Sequence, residues 1–264
     1  MNDRYPILEF DSSERAIFNP EQSVRPLEGV PTGCVICFFQ DVLGDLVVRG
    51  DAAQIATLNS ELGVNPVFTV SRNGSEVALV HPGVGAPMAV FVMEEMIALG
   101  CERFIVCGGA GVLDREIAVG HIVVPTAAIR DEGTSYHYLP PGREVEPDPR
   151  ALAAVVGTLT RHGVEYRLTK TWTTDAIYRE TPGKVERRRA EGCATVEMEA
   201  SALFAVGKFR GVPVAQLLYG GDDVSGFGEW DHRGWISHSV REDLLWLAVE
   251  SCVRLGAENN LTPE

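Results

Sequence analysis

Two carboxylates flank a methionine in the stretch Thr195-Val196-Glu197-Met198-Glu199-Ala200-Ser201, where an apolar, strand-like run turns into a helical pattern. Acids buried at such a junction must find partners. A vicinal sugar diol is one candidate: a carboxylate accepts from two adjacent hydroxyls while the methionine packs on the sugar face. Acids at a helix start also favour the helix dipole, and spacing alone leaves both readings open. A second pair, Asp222-Asp223, follows the apolar run PVAQLLYGG. General acids are often placed at the carboxyl ends of strands, although aspartate also serves as an N-cap or turn residue. Neighbouring side chains of an extended segment point to opposite sides, so one of the two acids at most faces a common pocket. Glycine-rich turns at Gly108-Gly109-Ala110-Gly111 and at His81-Pro82-Gly83-Val84-Gly85-Ala86-Pro87 could bring backbone amides close to a polar or anionic ligand. Such turns also serve simply to pack strands against helices.

The elements that must position these residues follow from hydrophobic periodicity. Short apolar runs (GCVICFF, PVFTVS, EVALVHP, RFIVCGG, HIVVP, YRLTKTW, CATVEM, PVAQLLYGG) alternate with helical patterns. The helices are expected over Ala52 to Leu62, Pro87 to Leu99, Arg150 to His162, Glu199 to Phe209 and about Ser237 to Leu255. This alternation predicts an α/β fold with a largely buried sheet. The chain is expected to be a single domain over residues 1–264, with residues 1–30 as an N-terminal arm and Asp131 to Pro149 as a long, proline-rich loop.

Composition narrows the function. A formal net charge of −14 over 264 residues opposes a nucleic-acid partner, and the one dense basic cluster, Arg187-Arg188-Arg189, reads as a solvated helix face. No apolar run reaches membrane-span length, and the polar start MNDRYPILEF lacks the pattern of a secretory signal, so a cytoplasmic protein without a membrane partner is expected. Cys34, Cys37, Cys101 and Cys107 lie in or beside apolar runs and read as small hydrophobes, with Cys34 and Cys37 on opposite faces of a strand. No metal and no cofactor are expected.

Taken in order, the motifs resemble the nucleoside phosphorylase superfamily, which includes uridine phosphorylases, hexameric-type purine nucleoside phosphorylases and the methylthioadenosine/S-adenosylhomocysteine nucleosidases. The resemblance covers roughly Gly33 to Leu255. It rests on the glycines near Gly83, the turn GGAGVL at 108–113 followed by VGHIVVP, the loop IRDEGTSYHYLP, the run TWTTDAIYRE, VEMEASAL and LYGGDD. The resemblance implies a mixed sheet closing into a distorted barrel flanked by helices, and cleavage of the N-glycosidic bond of a nucleoside. It implies that Glu199, with Glu197 close by, binds the ribose hydroxyls and that Met198 lines the sugar. The amides of Gly109 and Ala110 would face the nucleophile, Ile177 would lie against the base, and Asp222 would be the acid that protonates a purine ring nitrogen. It also implies a homodimer or higher homo-oligomer.

The departures from the family pattern bear on the nucleophile. Phosphate-using members carry G-D-P-x-R after the first strand, where this chain reads Phe39-Gln40-Asp41-Val42-Leu43-Gly44. Two further family arginines align with Val106 and near Gly63. A desolvated phosphate needs fixed cationic donors, so water is the expected nucleophile; the match of Asp222 to the acid of purine-cleaving members makes a purine-like nucleoside the expected substrate. The alternative is phosphorolysis at a rearranged anion site, with Arg130 or Arg179 as relocated cations and Gln40 and Asp41 as further possible ligand contacts. A non-catalytic nucleoside-binding protein is the third reading. His137 and His232 are weaker candidates for ligand contact.

Overall fold

The computed structural model describes residues 5–226 and 230–259. Ten strands and six α-helices succeed one another as β1 (Gly33–Cys37), α1 (Gln40–Arg49), β2 (Ala52–Ser60), β3 (Gly63–Arg72), β4 (Ser75–Val80), α2 (Ala86–Leu99), β5 (Arg103–Val112), β6 (Ile122–Asp131), β7 (Glu144–Val145), α3 (Pro149–His162), β8 (Tyr166–Thr174), α4 (Pro182–Ala190), β9 (Cys193–Glu197), α5 (Ala200–Arg210), β10 (Val214–Asp223) and α6 (His238–Asn259).

All strands belong to one mixed sheet. The long strand β5 organises it: β5 pairs in parallel with β1 and β10 and, near its carboxyl end, antiparallel with β9. Because β10 also pairs with β6, β6 with β8, and β8 with β9, the path returns to β5 and closes a five-stranded barrel, as the family resemblance implies. Beyond β1 the sheet opens out through β4, β3 and β2. Helices cover both faces of β1, which explains its uninterrupted apolar sequence. Val35 and Cys37 face a core shared with α1, α3 and α6, while Cys34 and Ile36 face one shared with α2 and α5. All six cysteines are buried free thiols.

Local chemistry sets most boundaries. Asp148 accepts from the amides of Arg150 and Ala151, Pro149 occupies the first turn of α3, and Gly163 ends the helix with φ 64°. The segment Ala52 to Leu62, expected as a helix, is instead β2 with its turn into β3, and the helix in this region is α1. Only Ala52 and Leu58 of β2 are buried, as suits an edge strand, and pairing with β3 through a bulge at Gln54–Ala56 overrides its weak helical spacing.

The basic cluster also departs from expectation. Arg187 and Arg189 are exposed, but Arg188 is 4% exposed, paired with Glu191 at 2.5 Å and Asp131 at 3.5 Å and lying over the Trp172 ring. Its long side chain is drawn inward by Glu191, three residues on, and by Asp131 at the end of β6. Arg188→Ala therefore removes a cation shared by two carboxylates beside a buried indole, while Glu191 keeps Arg143 and Asp131 keeps Lys184. Because both acids are partly solvated and each keeps another cation, the expected loss is about 1–2 kcal/mol by urea denaturation; a loss within about 0.5 kcal/mol, the range of ordinary surface substitutions, contradicts this reading.

Candidate active site

The carboxyl ends of β5, β9 and β10 converge on a cavity of about 340 Å³ that also takes in the β1–α1 junction, the turn after β8 and the segment leading into α6. Its walls include Gly109, Ala110, Ile177, Glu197, Met198, Glu199 and Asp222, so seven residues picked from sequence come together.

Glu197 and Glu199 are fixed by the turn from β9 into α5. Glu197 accepts from Thr173 Oγ1 at 2.6 Å and from the amides of Glu199 and Ala200 at 2.8 and 2.6 Å. It thus fulfils the helix-start reading while still lining the cavity. Glu199 accepts from the Gly85 amide at 2.6 Å and, through its other oxygen, from the Met198 amide at 3.2 Å. Gly85 has φ 89°, a conformation that glycine adopts without strain, and this presents its N–H to the carboxylate. The glycine turn before α2 therefore holds a carboxylate of the protein itself. Behind the pair, the Ser201 amide donates to Thr173 Oγ1 and the Ser201 hydroxyl to Glu132, linking the 131–149 loop to α5. Burial, followed by repulsion between neighbours, raises both Glu197 and Glu199 above ordinary carboxylate values.

Asp222 and Asp223 diverge. Asp222 faces the cavity, and its Oδ2 accepts from Trp230 Nε1 at 2.7 Å. A Cβ on Gly111 would lie 3.1 Å from Val196 Cγ1 and at ordinary contact distance, 3.6 Å, from Asp222 Oδ1. Asp223 is buried, accepts from the Ser225 amide at 2.7 Å and lies 3.6 Å from Arg115. A bulge between Gly220 and Asp223 accompanies this divergence.

Four of the anion or base candidates stay outside the cavity wall. Arg130 is buried at 6% exposure and donates to Ser135 Oγ and to the carbonyls of Ser135, Leu139 and Pro140. Its guanidinium organises the 131–149 loop, which carries a 3₁₀ turn at Thr134–His137 and strand β7, and it is not available to an anion. Arg179 is exposed on the turn Ile177–Arg179, and Gln40 is exposed at the first turn of α1. Asp41 pairs with Arg241 at 2.9 Å. His232 packs its ring edge-on to Trp230 and tilted toward Trp235, whereas His137 lines a separate cleft of about 620 Å³ between the N-terminal arm and α2.

Several wall residues escaped the sequence reading. Arg241 enters from α6, donates to Tyr219 Oη at 3.2 Å and lies against the Phe39 and Trp235 rings. Gln216 is 1% exposed, and its Oε1 has no hydrogen-bond partner among the described residues. Glu180 follows the Ile177–Arg179 turn, and its carboxylate has no hydrogen bond or ion pair among the described residues. Burial and the nearby Asp222 push Glu180 up to about 7. Only its place three residues beyond Ile177 in the run TTDAIYRE could have drawn attention to it.

Residues 34–244 match the family model described as the phosphorylase superfamily. A guanosine phosphorylase of Halorubrum lacusprofundi is 30% identical over 162 residues; the aligned stretch takes in 61% of this chain and 66%, just under two thirds, of that enzyme. Among solved structures, a purine nucleoside phosphorylase from Toxoplasma gondii in complex with immucillin-H superposes with a TM-score of 0.74 at 20% identity, covering 90% of this chain and 94% of that one. An AMP nucleosidase from Bacteroides thetaiotaomicron does so with a TM-score of 0.70 at 22% identity, covering 90% and 93%. With the family model spanning both the barrel and the residues that wall its cavity, the chain belongs to the phosphorylase superfamily.

Proposed function

We propose that the protein hydrolyses the N-glycosidic bond of a purine-like nucleoside. The observation that carries this reading is the charge of the cavity wall. Among the described residues, Glu180, Glu197, Glu199 and Asp222 contribute four carboxyl groups to this wall, against one cation, Arg241, which Asp41 already neutralises. A phosphate dianion brought into this wall would lose its hydration without gaining an unpaired cation, whereas water enters with no charge to compensate. In this reading Glu199 accepts from the ribose hydroxyls and Met198 packs against the sugar. Gly109 and Ala110 border the nucleophile, and Ile177 lies against the base. Asp222 protonates the base as the C1′–N bond breaks. The oxygen of water then bonds to C1′, which carries oxocarbenium character, and its spare proton passes to solvent.

Phosphorolysis is the second reading, favoured by the position of Arg241. It meets the Tyr219 hydroxyl, and a Cβ on Gly109 would lie 3.2 Å from the Tyr219 ring, so this cation sits on the nucleophile side. Release of free base from a panel of nucleosides, followed with and without phosphate, decides between them. The expected result is release in phosphate-free buffer, with free ribose and no ribose 1-phosphate by mass spectrometry. Activity that disappears without phosphate and returns with it establishes phosphorolysis; nucleoside binding without release establishes a binding protein.

A further inference from the structure

We propose that the Gln216 carboxamide holds the attacking water and aims it at C1′. The inference rests on the hydrolytic reading and adds the group that positions its nucleophile. Alternation along β10 places this side chain. Ala215, Leu217 and Tyr219 pack in the core shared with α1, α3 and α6, so Gln216 and Leu218 point the other way, into the barrel. Leu218 meets β5 there, its Cδ2 3.8 Å from where a Cβ on Gly108 would lie. One step deeper along the strand, Gln216 belongs to the same cavity wall as Gly108, Gly109 and Ala110.

Nearly all buried side-chain acceptors have a donor, and leaving one without is costly. Gln216 Oε1 has none among the described residues. An unpaired acceptor in a cavity wall suits a small ligand that carries an O–H. Water fits better than an anion, because the wall already holds four carboxyl groups and an amide oxygen repels negative charge. A water that donates one O–H to Oε1 keeps its lone pairs turned away from the amide, free to attack. The position along the strand supplies the direction. Asp222 lies six residues further on in β10, and displacement at C1′ needs the nucleophile and the departing base on opposite sides of that carbon. An amide deep in the barrel and an acid near the end of the same strand provide the two sides. As the C1′–N bond breaks, the base takes the Asp222 proton, the water oxygen bonds to C1′ and the excess proton leaves to solvent. The amide takes up no proton; it orients.

The test is Gln216→Leu, which keeps the bulk and removes the acceptor. Base release from guanosine, inosine and adenosine is measured in phosphate-free buffer for both proteins. In Q216L kcat is expected to fall about ten- to a hundredfold, as for a misplaced reactant, with KM within about twofold and an unchanged pH profile. The melting temperature should stay equal or rise, since an unpaired buried acceptor gives way to an apolar group. With methanol as a competing nucleophile, the ratio of methyl riboside to ribose should move toward the molar ratio of the two solvents in Q216L, because water has lost its seat. An unchanged kcat and product ratio overturn the proposal. So does a loss of kcat that comes with a lower melting temperature or a KM raised tenfold, the marks of a packing role or a sugar contact. The underlying reading fails separately. Release by wild type that stops without phosphate overturns hydrolysis, and the water assignment with it; phosphate-independent release that Q216L leaves intact overturns the role of Gln216 alone.

Discussion

Replacing Asp222 by asparagine is expected to lower kcat/KM on natural purine nucleosides by about a hundred- to ten-thousand-fold, the usual contribution of a positioned acid to departure of a poor leaving group. The substitution is a clean one. The asparagine carbonyl can still accept from Trp230 Nε1, which donates to Asp222 Oδ2 at 2.7 Å, so the aromatic segment over the cavity keeps its anchor. A nitrophenyl riboside, whose leaving group departs as a stable anion, should lose far less if the pocket admits it. Equal losses on both substrates would point to damaged sugar binding or folding rather than to a lost proton donor. D223N serves as the control. Asp223 holds the Ser225 amide and lies near Arg115, outside the cavity wall, so its removal should cost stability more than chemistry. A larger catalytic defect in D223N than in D222N would place the acid one residue further along β10.

The contrast between these two aspartates marks what sequence could and could not reveal. That one of them at most faces a pocket follows from the alternation of an extended chain, but which one depends on a bulge between Gly220 and Asp223 that no periodicity announces. The buried run of β1 and the capped helix α3 were legible because their signals are local: apolar residues in series, and aspartate, proline and glycine at helix ends. Residues 52–60 misled because an edge strand buries only part of one face, and its partner β3 supplies what its own sequence does not. The charged residues were least legible. Arg130 and Arg188 look like surface cations until acids, indoles and carbonyls from other elements enclose them. Arg241 reaches the cavity from α6, two hundred residues beyond its partner Asp41, and Glu180 is conspicuous only for what does not bond to it.

Glu199→Gln tests the sugar site, with an expected loss of about 1–3 kcal/mol in transition-state stabilisation, roughly five- to 150-fold in kcat/KM. Two effects combine in this figure. Glutamine weakens the charge-assisted bonds expected from the 2′ and 3′ hydroxyls. It must also point its amide nitrogen at one of the two backbone donors, Gly85 or Met198, that Glu199 now satisfies. A 2′-deoxynucleoside separates them, because it has already lost one hydroxyl; the gap between mutant and parent should narrow on it if sugar contact dominates. The pH dependence gives an independent reading. Burial and the nearby Glu197 raise Glu199 from an ordinary 4.5 to about 8, so the folded protein holds this proton more tightly than the unfolded chain does. The resulting stabilisation is complete below about pH 4.5 and is lost as pH rises toward 8. Glu197, raised to about 7 by burial first, acts in the same direction. Carboxylates held low by their partners, such as Asp114 beside Arg167, act in the opposite sense and only at acid pH. Between pH 5 and 8 the unliganded wild type should therefore lose stability, and E199Q, with no proton to release at this position, should lose less. Parallel stability profiles for the two proteins across that window, together with undiminished activity of the mutant on every substrate cleaved, would reduce Glu199 to an acid that merely begins a helix.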